Sequence, residues 1–280
     1  MDLVTIDGAW TRTGLLPART PARATTARRR PARPRAMAEL ALLALLYVGY
    51  SLARLLADDD PVRATENAHR LLDIEAALHL DFEAWANQLI LDLPALPLAA
   101  SYWYSALHYI VTPAVLIWVY RRHPLGYRRV RNVLVGSTAV ALLGFVLLPM
   151  APPRMLPGYV DVLATTSVNG WWGSDASAPK GLGGLTNELA AMPSMHVGWA
   201  LWCAWVVFLC TRNRLLRALV AVYAAGTTVV VVITANHYLL DAVAGAAIVV
   251  AAVLVTRPRV RRETPDPTAV SPPATASLSS

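Results

Sequence analysis

The sequence predicts an all-α fold: a polytopic membrane protein built as a six-transmembrane helix bundle with an extracytoplasmic amphipathic helical segment. Composition is the first reason, because 56% of the 280 residues are hydrophobic and only 15% are charged. Soluble globular domains are about 45–50% apolar and about 25% charged. The apolar residues gather in long runs, and arginines gather between the runs. Both patterns are typical of helices that cross a lipid bilayer.

Six apolar runs lie between residues 36 and 256, which we predict to be the membrane domain. Each run approaches the ~20 residues that a helix needs to cross ~30 Å of hydrocarbon. The spans are predicted at about 37–57, 98–120, 132–150, 194–211, 215–234 and 237–256. The flanking segments, 1–35 and 257–280, are rich in Arg, Pro, Ser, Thr and Ala. Such a composition cannot bury a core, so we predict two disordered tails, of which the N-terminal one is strongly basic.

Residues 62–92 have a different pattern from the spans. Apolar residues such as Leu71, Leu78 and Trp85 recur near helical spacing and are separated by acids. This pattern predicts one or two amphipathic helices that lie on the membrane surface or cap the bundle.

Orientation follows from the arginines. The N-terminal tail, the predicted loops at 121–131 and 212–217, and the tail from Arg257 are all basic, and they share one side if the six spans alternate. The positive-inside rule then predicts a multi-pass protein of the plasma membrane with both termini in the cytoplasm. The formal net charge of +7 is explained by these segments, whose expected partners are anionic lipids. They contain no nucleic-acid recognition motif, so we predict no nucleic-acid partner, and the oligomeric state is left open.

Three short pieces meet on the external face under this topology: APPRML around Arg154, AMPSMHVGW around His196, and NHYLLDAVAG with His237 and Asp241. His237 and Asp241 are four residues apart at a predicted helix start, so they share a face, and the carboxylate can accept a proton from the imidazole. The N–H groups of that first turn favour an anion. His196 can serve as a general acid or base, and the Arg154 guanidinium suits phosphate oxygens. Together these groups can transfer a phosphoryl group without a metal.

Other interpretations remain open at this point. A single histidine near a span end is ordinarily a polar interface residue, and this is our interpretation of His69, His79, His108 and His123. Two histidines and an aspartate are legitimate zinc ligands, although no histidine pair has metal-binding spacing such as HExxH. Lys180, in the sequence KGLGG, is either solvated or able to reach over a phosphate. A catalytically silent lipid-binding protein and a proton-coupled transporter with a His/Asp relay are the competing functions.

The motifs PSMH (193–196) and HYLLD (237–241) resemble those of the type 2 phosphatidic acid phosphatase superfamily. The sequence is most similar to its inositol phosphorylceramide synthase-like branch, including bacterial members, over about residues 62–256. The resemblance implies a lipid phosphatase or phosphotransferase that acts on a membrane lipid phosphate ester without a cofactor. His237 would be the nucleophile that forms a phosphohistidine, Asp241 would orient it, and His196 would be the acid/base. Ser194, nearby backbone N–H groups and Arg154 would bind phosphate oxygens.

The sequence departs from the full phosphatase pattern at five positions. The Lys and the Pro of the first motif fall at Leu147 and Met155, the Ser-Arg of the third motif falls at Val230 and Val231, and Met195 replaces the usual Gly. These departures favour the synthase-like branch, which also lacks the extra cations. The acceptor of the phosphoryl group, water or an alcohol, is left open.

Overall fold

The computed structural model describes residues 36–56, 60–173, 180 and 187–257. The predicted tail 1–35, and all of 257–280 except its first residue, lie outside this range. Within it the chain forms α-helices and short 3-10 turns, with no β-strand among the described residues. The helices are α1 Ala36–Leu56, α2 Pro61–Ala77, α3 Glu83–Leu91, α4 Leu96–Arg122, α5 Pro124–Leu147, α6 Val162–Thr166, α7 Met195–Cys210, α8 Arg214–Ile233 and α9 Leu239–Val255.

Two of these helices, α5 and α8, are long and apolar enough to cross a membrane. Shorter apolar stretches occupy the first half of α1 and the whole of α7 and α9. All six predicted spans coincide with helices of the structure, which confirms the all-α class. The arrangement of six spans in a bilayer stays a prediction.

The basic segment 121–131 is helical, whereas the sequence predicted a loop there. Helix α4 continues to Arg122 and α5 begins at Pro124, so that only His123 separates them. The His123 N–H closes α4 on Val119 O at 2.8 Å, and proline suits the first position of the next helix because no intrahelical acceptor exists there. The arginines of this segment therefore lie on helix ends.

Helix α1 is attached to α5 by a polar cluster. Glu39 accepts hydrogen bonds from Tyr127 Oη at 2.8 Å and from Arg131 Nη1 at 2.5 Å. Glu39 is 8% exposed, so the pair is largely desolvated. The cluster holds the first helix against the rest of the bundle.

The sequence predicted one or two helices in 62–92, and the structure has two there, α2 and α3. Asp60 caps α2 by accepting from the N–H groups of Val62 and Arg63, and Pro61 occupies the first helical position. The inner face of α2 packs through Ala64, Ala68 and Leu71 on Met150, Ala151, Leu156, Ala191 and Tyr238. This is the capping arrangement, because α2 covers the loops at one end of the bundle. The two helices form the α2–α3 hairpin. Two of its acids, Glu75 and Glu83, are buried rather than solvated.

Helix α7 lies at the centre and packs against α4, α5, α8 and α9. Its Trp202 and Cys203 are fully buried, and Trp202 Nε1 donates to Val130 O at 2.9 Å. Because α5 ends, α7 begins, α8 ends and α9 begins at the same end of the bundle, the loops that carry the motifs meet there.

Candidate active site

The imidazoles of His196 and His237 meet at this end of the bundle. His196 is the second residue of α7, and His237 precedes α9 by two residues. Their ring centroids are 5.6 Å apart at an interplanar angle of 59°. The structure therefore brings together the two histidines that the sequence placed on one face of the membrane.

His237 is held in one tautomer by a backbone carbonyl. Its Nδ1 lies 2.7 Å from Ala191 O, and a carbonyl oxygen can only accept, so Nδ1 carries the proton and donates. In the neutral ring the other nitrogen, Nε2, has a free lone pair. Nε2 is buried and has no hydrogen-bond partner among the described residues. A buried, unpaired and unprotonated imidazole nitrogen is suited to nucleophilic attack.

Asp241 faces the same edge of the His237 ring but makes its close contact elsewhere. Its Oδ2 lies 3.6 Å from His237 Nδ1 and accepts a hydrogen bond from the Tyr238 N–H at 2.9 Å. The geometry refines the sequence-based expectation: the Ala191 carbonyl accepts the hydrogen bond of the imidazole N–H, and the Asp241 carboxyl lies at slightly longer range. A carboxylate there stabilises positive charge that develops on the ring during reaction.

Two rings of α4 hold His196 in place. The Tyr104 ring stacks on it with centroids 4.2 Å apart, and His108 approaches it edge-on at 4.3 Å. His108 is 8% exposed, so its interpretation as an interface residue is wrong. Sequence reasoning missed this third imidazole, although Ser101, Ser105, His108 and Thr112 recur at helical spacing on one face of the span. A polar face on an apolar helix indicates a functional interior.

Arg154 lies next to the His237 segment. Its Nη1 donates to Asn236 Oδ1 at 3.0 Å, and its backbone N–H donates to Ala235 O at 2.8 Å. Its Nε lies 3.4 Å from Asp161 Oδ2. The guanidinium is thus fixed beside the segment that carries His237, with part of its charge offset by Asp161.

Ser194 caps α7 at a tight crossing of α7 and α9. Its backbone N–H donates to Asp241 O at 2.9 Å, and its buried Oγ has no partner among the described residues. A Cβ added to Gly245 would lie 2.1 Å from Ser194 O, so only glycine allows the two helices to approach this closely.

The positions of the missing cations carry apolar side chains in the structure. Leu147, at the position of the first-motif Lys, is 70% exposed at the end of α5, while Val231, at the position of the third-motif Arg, is buried in α8. Lys180 is exposed, and its recorded contact is a backbone hydrogen bond to Trp171 O. Its role over a phosphate stays a prediction. No three His, Cys, Asp or Glu side chains among the described residues are arranged to hold a metal ion.

The first turn of α9 differs from the expectation that it binds an anion. The Leu239 N–H donates to Glu83 Oε1, and the Leu240 N–H donates to Glu75 Oε1 at 2.8 Å. With Asp241 on the Tyr238 N–H, side-chain carboxyls of the chain itself occupy three successive amides. Burial raises the pKa of Glu75 and raises that of Glu83 to about 9, and the Glu75 charge adds to the shift at Glu83.

A family model described as the PAP2 superfamily matches residues 69–255, more than half of the 280-residue chain. The chain belongs to the PAP2 superfamily. The match runs from α2 to the last residue of α9 and includes all the site residues described above. Comparison with curated proteins and with solved structures finds no match.

Membership in the PAP2 superfamily has consequences for activity and location. Its members are phosphatases and phosphotransferases, which supports an enzyme with a phosphatase-type function on lipid phosphates. Together with the apolar helices α5 and α8, it indicates a membrane protein.

Proposed function

We propose that this protein is a multi-pass membrane enzyme that transfers the phosphoryl group of a lipid phosphate ester through a phosphohistidine at His237. One observation carries the proposal: the buried Nε2 of His237, without a partner among the described residues, lies beside a second imidazole, while Nδ1 donates to a carbonyl. PAP2 membership supports the same chemistry.

The first half-reaction breaks the ester bond of the substrate. The Nε2 lone pair of His237 attacks phosphorus, an N–P bond forms, and the P–O bond to the lipid alkoxide breaks. The protonated imidazole of His196 gives its proton to that alkoxide, which leaves as an alcohol. The ring of His237 becomes cationic, and Asp241 at 3.6 Å from Nδ1 stabilises this charge. Arg154 and the backbone of the α7 N-terminus bind the phosphoryl oxygens.

The second half-reaction regenerates the enzyme. The neutral His196 accepts a proton from an incoming hydroxyl, whose oxygen attacks phosphorus as the N–P bond breaks. Water as acceptor gives a phosphatase, and an alcohol gives a phosphotransferase. The apolar residues at the positions of the first and third motif cations favour a synthase-like transferase, in the manner of inositol phosphorylceramide synthases.

A lipid substrate and the orientation of the site form the second part of the proposal. The motif loops lie at one end of the helices, while Arg121, Arg122, Arg212 and Arg214 lie at the other end of α4, α7 and α8. The positive-inside rule places the basic end and both termini in the cytoplasm of a plasma-membrane protein, and the site at the outer leaflet. A lipid headgroup at that depth can enter between the helices.

The test uses the purified full-length protein in EDTA with a diacylglycerol phosphate and a polyprenyl phosphate. We expect release of phosphate, or headgroup exchange when a long-chain alcohol is added to a phosphodiester lipid. His237→Ala removes both, whereas His69→Ala, which alters an exposed imidazole on α2, leaves the rate unchanged. Full activity of His237→Ala contradicts the proposal. Lipid binding without turnover in the unmodified protein indicates the silent lipid-binding alternative.

A further inference from the structure

Two buried acids from outside the proposed catalytic set contact the start of α9. Glu75 belongs to α2 and is 0% exposed, and Glu83 belongs to α3 and is 1% exposed. Acidic side chains are almost never fully buried unless they are paired. Acids on the solvated face of an amphipathic helix would be exposed, so the burial of Glu75 and Glu83 needs another explanation.

The contacts of both acids are directed at one turn. Glu83 Oε1 accepts from the Leu239 N–H, and Glu75 Oε1 accepts from the Leu240 N–H at 2.8 Å. These are the first two residues of α9, whose amides have no acceptor inside the helix. His237 stands two residues before this turn, and Asp241 is its third residue. Two acids that are distant in sequence from α9 thus fix the turn that His237 precedes and that contains Asp241.

The second oxygens of the two carboxyls explain how both can be buried. Glu75 Oε2 and Glu83 Oε2 have no donor among the described residues, and their Oε1 atoms accept from adjacent amides, so the two carboxyls lie close together. Two buried carboxylates side by side cannot both stay ionised, so they share one proton. Burial raises the pKa of both carboxyls, to about 9 at Glu83, where the Glu75 charge adds to the shift, so the pair holds a proton at neutral pH. Asp241, Tyr238 and Tyr159 are the other titratable groups that face them.

We propose that Glu75 and Glu83 are positioning residues: as an acid–carboxylate pair they cap the first turn of α9 and so hold His237 and Asp241 in reactive geometry. The α2–α3 hairpin then contributes to catalysis indirectly. It fixes the backbone that supports the nucleophile without touching the substrate. This inference rests on the proposed function, because its main readout is turnover.

Matched substitutions separate hydrogen bonding from packing. Glutamine retains the accepting oxygen and, at Glu83, an N–H that donates to Glu75, whereas methionine has a similar volume and neither group. We expect Glu83→Gln to keep kcat within about threefold, and Glu83→Met and Glu75→Met to lower kcat about 10- to 100-fold, the loss that misplaced reacting groups produce. KM should change by less than about twofold, because the pair does not bind substrate. Glu66→Met, at an exposed acid on α2, is the control and leaves kcat unchanged.

Amide hydrogen exchange tests the carboxyl cap of α9 without an activity measurement, and it does not need a variant that could be destabilised. The proposal predicts that the Leu239 and Leu240 amides are protected in the unmodified protein and in Glu83→Gln. Rapid exchange of these amides in the unmodified protein overturns the proposal, as does a Glu83→Met variant that folds and keeps full kcat. Active Glu83→Met together with inactive His237→Ala refutes only the positioning role, whereas active His237→Ala refutes the proposed function itself.

Discussion

The rings of His196 and His237 lie 5.6 Å apart, although one begins α7 and the other precedes α9. This proximity depends on two local features: the close crossing of α7 and α9 at Gly245, and the stacking of Tyr104 on His196. In the proposed mechanism the attacking nitrogen of His237 and the proton donor His196 therefore need no large motion to act on one substrate. The predictions below test the parts of this arrangement.

The loss of kcat on removing His196 should be larger for a leaving group that needs a proton to depart. We expect His196→Ala to lower kcat for an alkyl lipid phosphate by about 10²- to 10⁴-fold, the usual contribution of general acid–base catalysis. A nitrophenyl phosphate ester, whose leaving group departs without a proton, should lose much less in the first half-reaction. Burst kinetics with the two esters measure this difference. Equal losses for both esters would exclude His196 as the acid.

Arg154 should contribute to binding of the phosphoryl group in the transition state. Replacing it with alanine should lower kcat/KM about 10²-fold, as is typical for loss of one charged or hydrogen-bonding group at a transferring centre. Asp161→Asn leaves the guanidinium in place and removes its ion-pair partner at 3.4 Å, so its effect should be much smaller. Steady-state kinetics on both variants compare them. Unchanged kcat/KM in Arg154→Ala would make the residue an anchor of the loop only.

Gly245 should be intolerant of any side chain. A Cβ there would lie 2.1 Å from the backbone oxygen of Ser194, so Gly245→Ala must push α7 and α9 apart. We expect a loss of about 1–3 kcal/mol of stability, as for an overpacked core, and a larger loss of activity. Gly136→Ala is the control, since a Cβ there meets nothing within 4 Å and alanine favours the helix. Equal thermal stability and activity of the two variants would contradict the crossing.

The attachment of α1 should affect stability more than chemistry. Glu39→Gln weakens its contacts to Tyr127 and Arg131, and we expect about 1–3 kcal/mol of lost stability for the partly buried groups that remain. The matched family region begins at residue 69, so kcat should be unchanged. Thermal unfolding in detergent and a kinetic assay measure the two effects. A fall in kcat at full stability would place α1 in the catalytic mechanism.

The protonation of Glu83 should make stability depend on pH in one direction. Its pKa is about 9 in the folded chain against 4.5 unperturbed, so between these values the folded state binds more protons than the unfolded state. Stability contributed by this group is complete below pH 4.5, falls as pH rises, and is lost by about pH 9. Glu83→Gln cannot ionise and should show a shallower decline over that window. Unfolding temperatures measured against pH compare the two proteins, and identical slopes would mean that Glu83 is ionised when folded.

The presence of the helices could be predicted from the sequence, because a long apolar run that crosses a bilayer is expected to be helical. The positions at which the helices end were harder to predict. The arginines of 121–131 suggested a loop, yet their long side chains are compatible with helix, and the chain needed only His123 to reverse direction. Pro124 is the sequence signal for that turn, but hydrophobic periodicity does not register a single proline.

Residues that belong to a motif could be predicted to lie together, whereas residues that act through a neighbour could not. Spacing and resemblance brought His196, His237, Asp241 and Arg154 to one face, and the structure places them at one end of the bundle. His108 looked like an interface residue because only packing shows which helix face is inward. Glu75 and Glu83 were not singled out, because nothing in the sequence shows that a carboxyl will contact the N-terminus of a distant helix. The Ala191 carbonyl, which sets the His237 tautomer, has no sequence signature at all.

The most direct test of the account is to trap the covalent intermediate. The purified protein is mixed with a lipid phosphate labelled at phosphorus, quenched within milliseconds under alkaline conditions that preserve N–P bonds, and digested for mass spectrometry. The account predicts one acid-labile phosphoryl group on His237, absent in His237→Asn. A labelled side chain other than His237, or turnover that continues in His237→Asn, would contradict it.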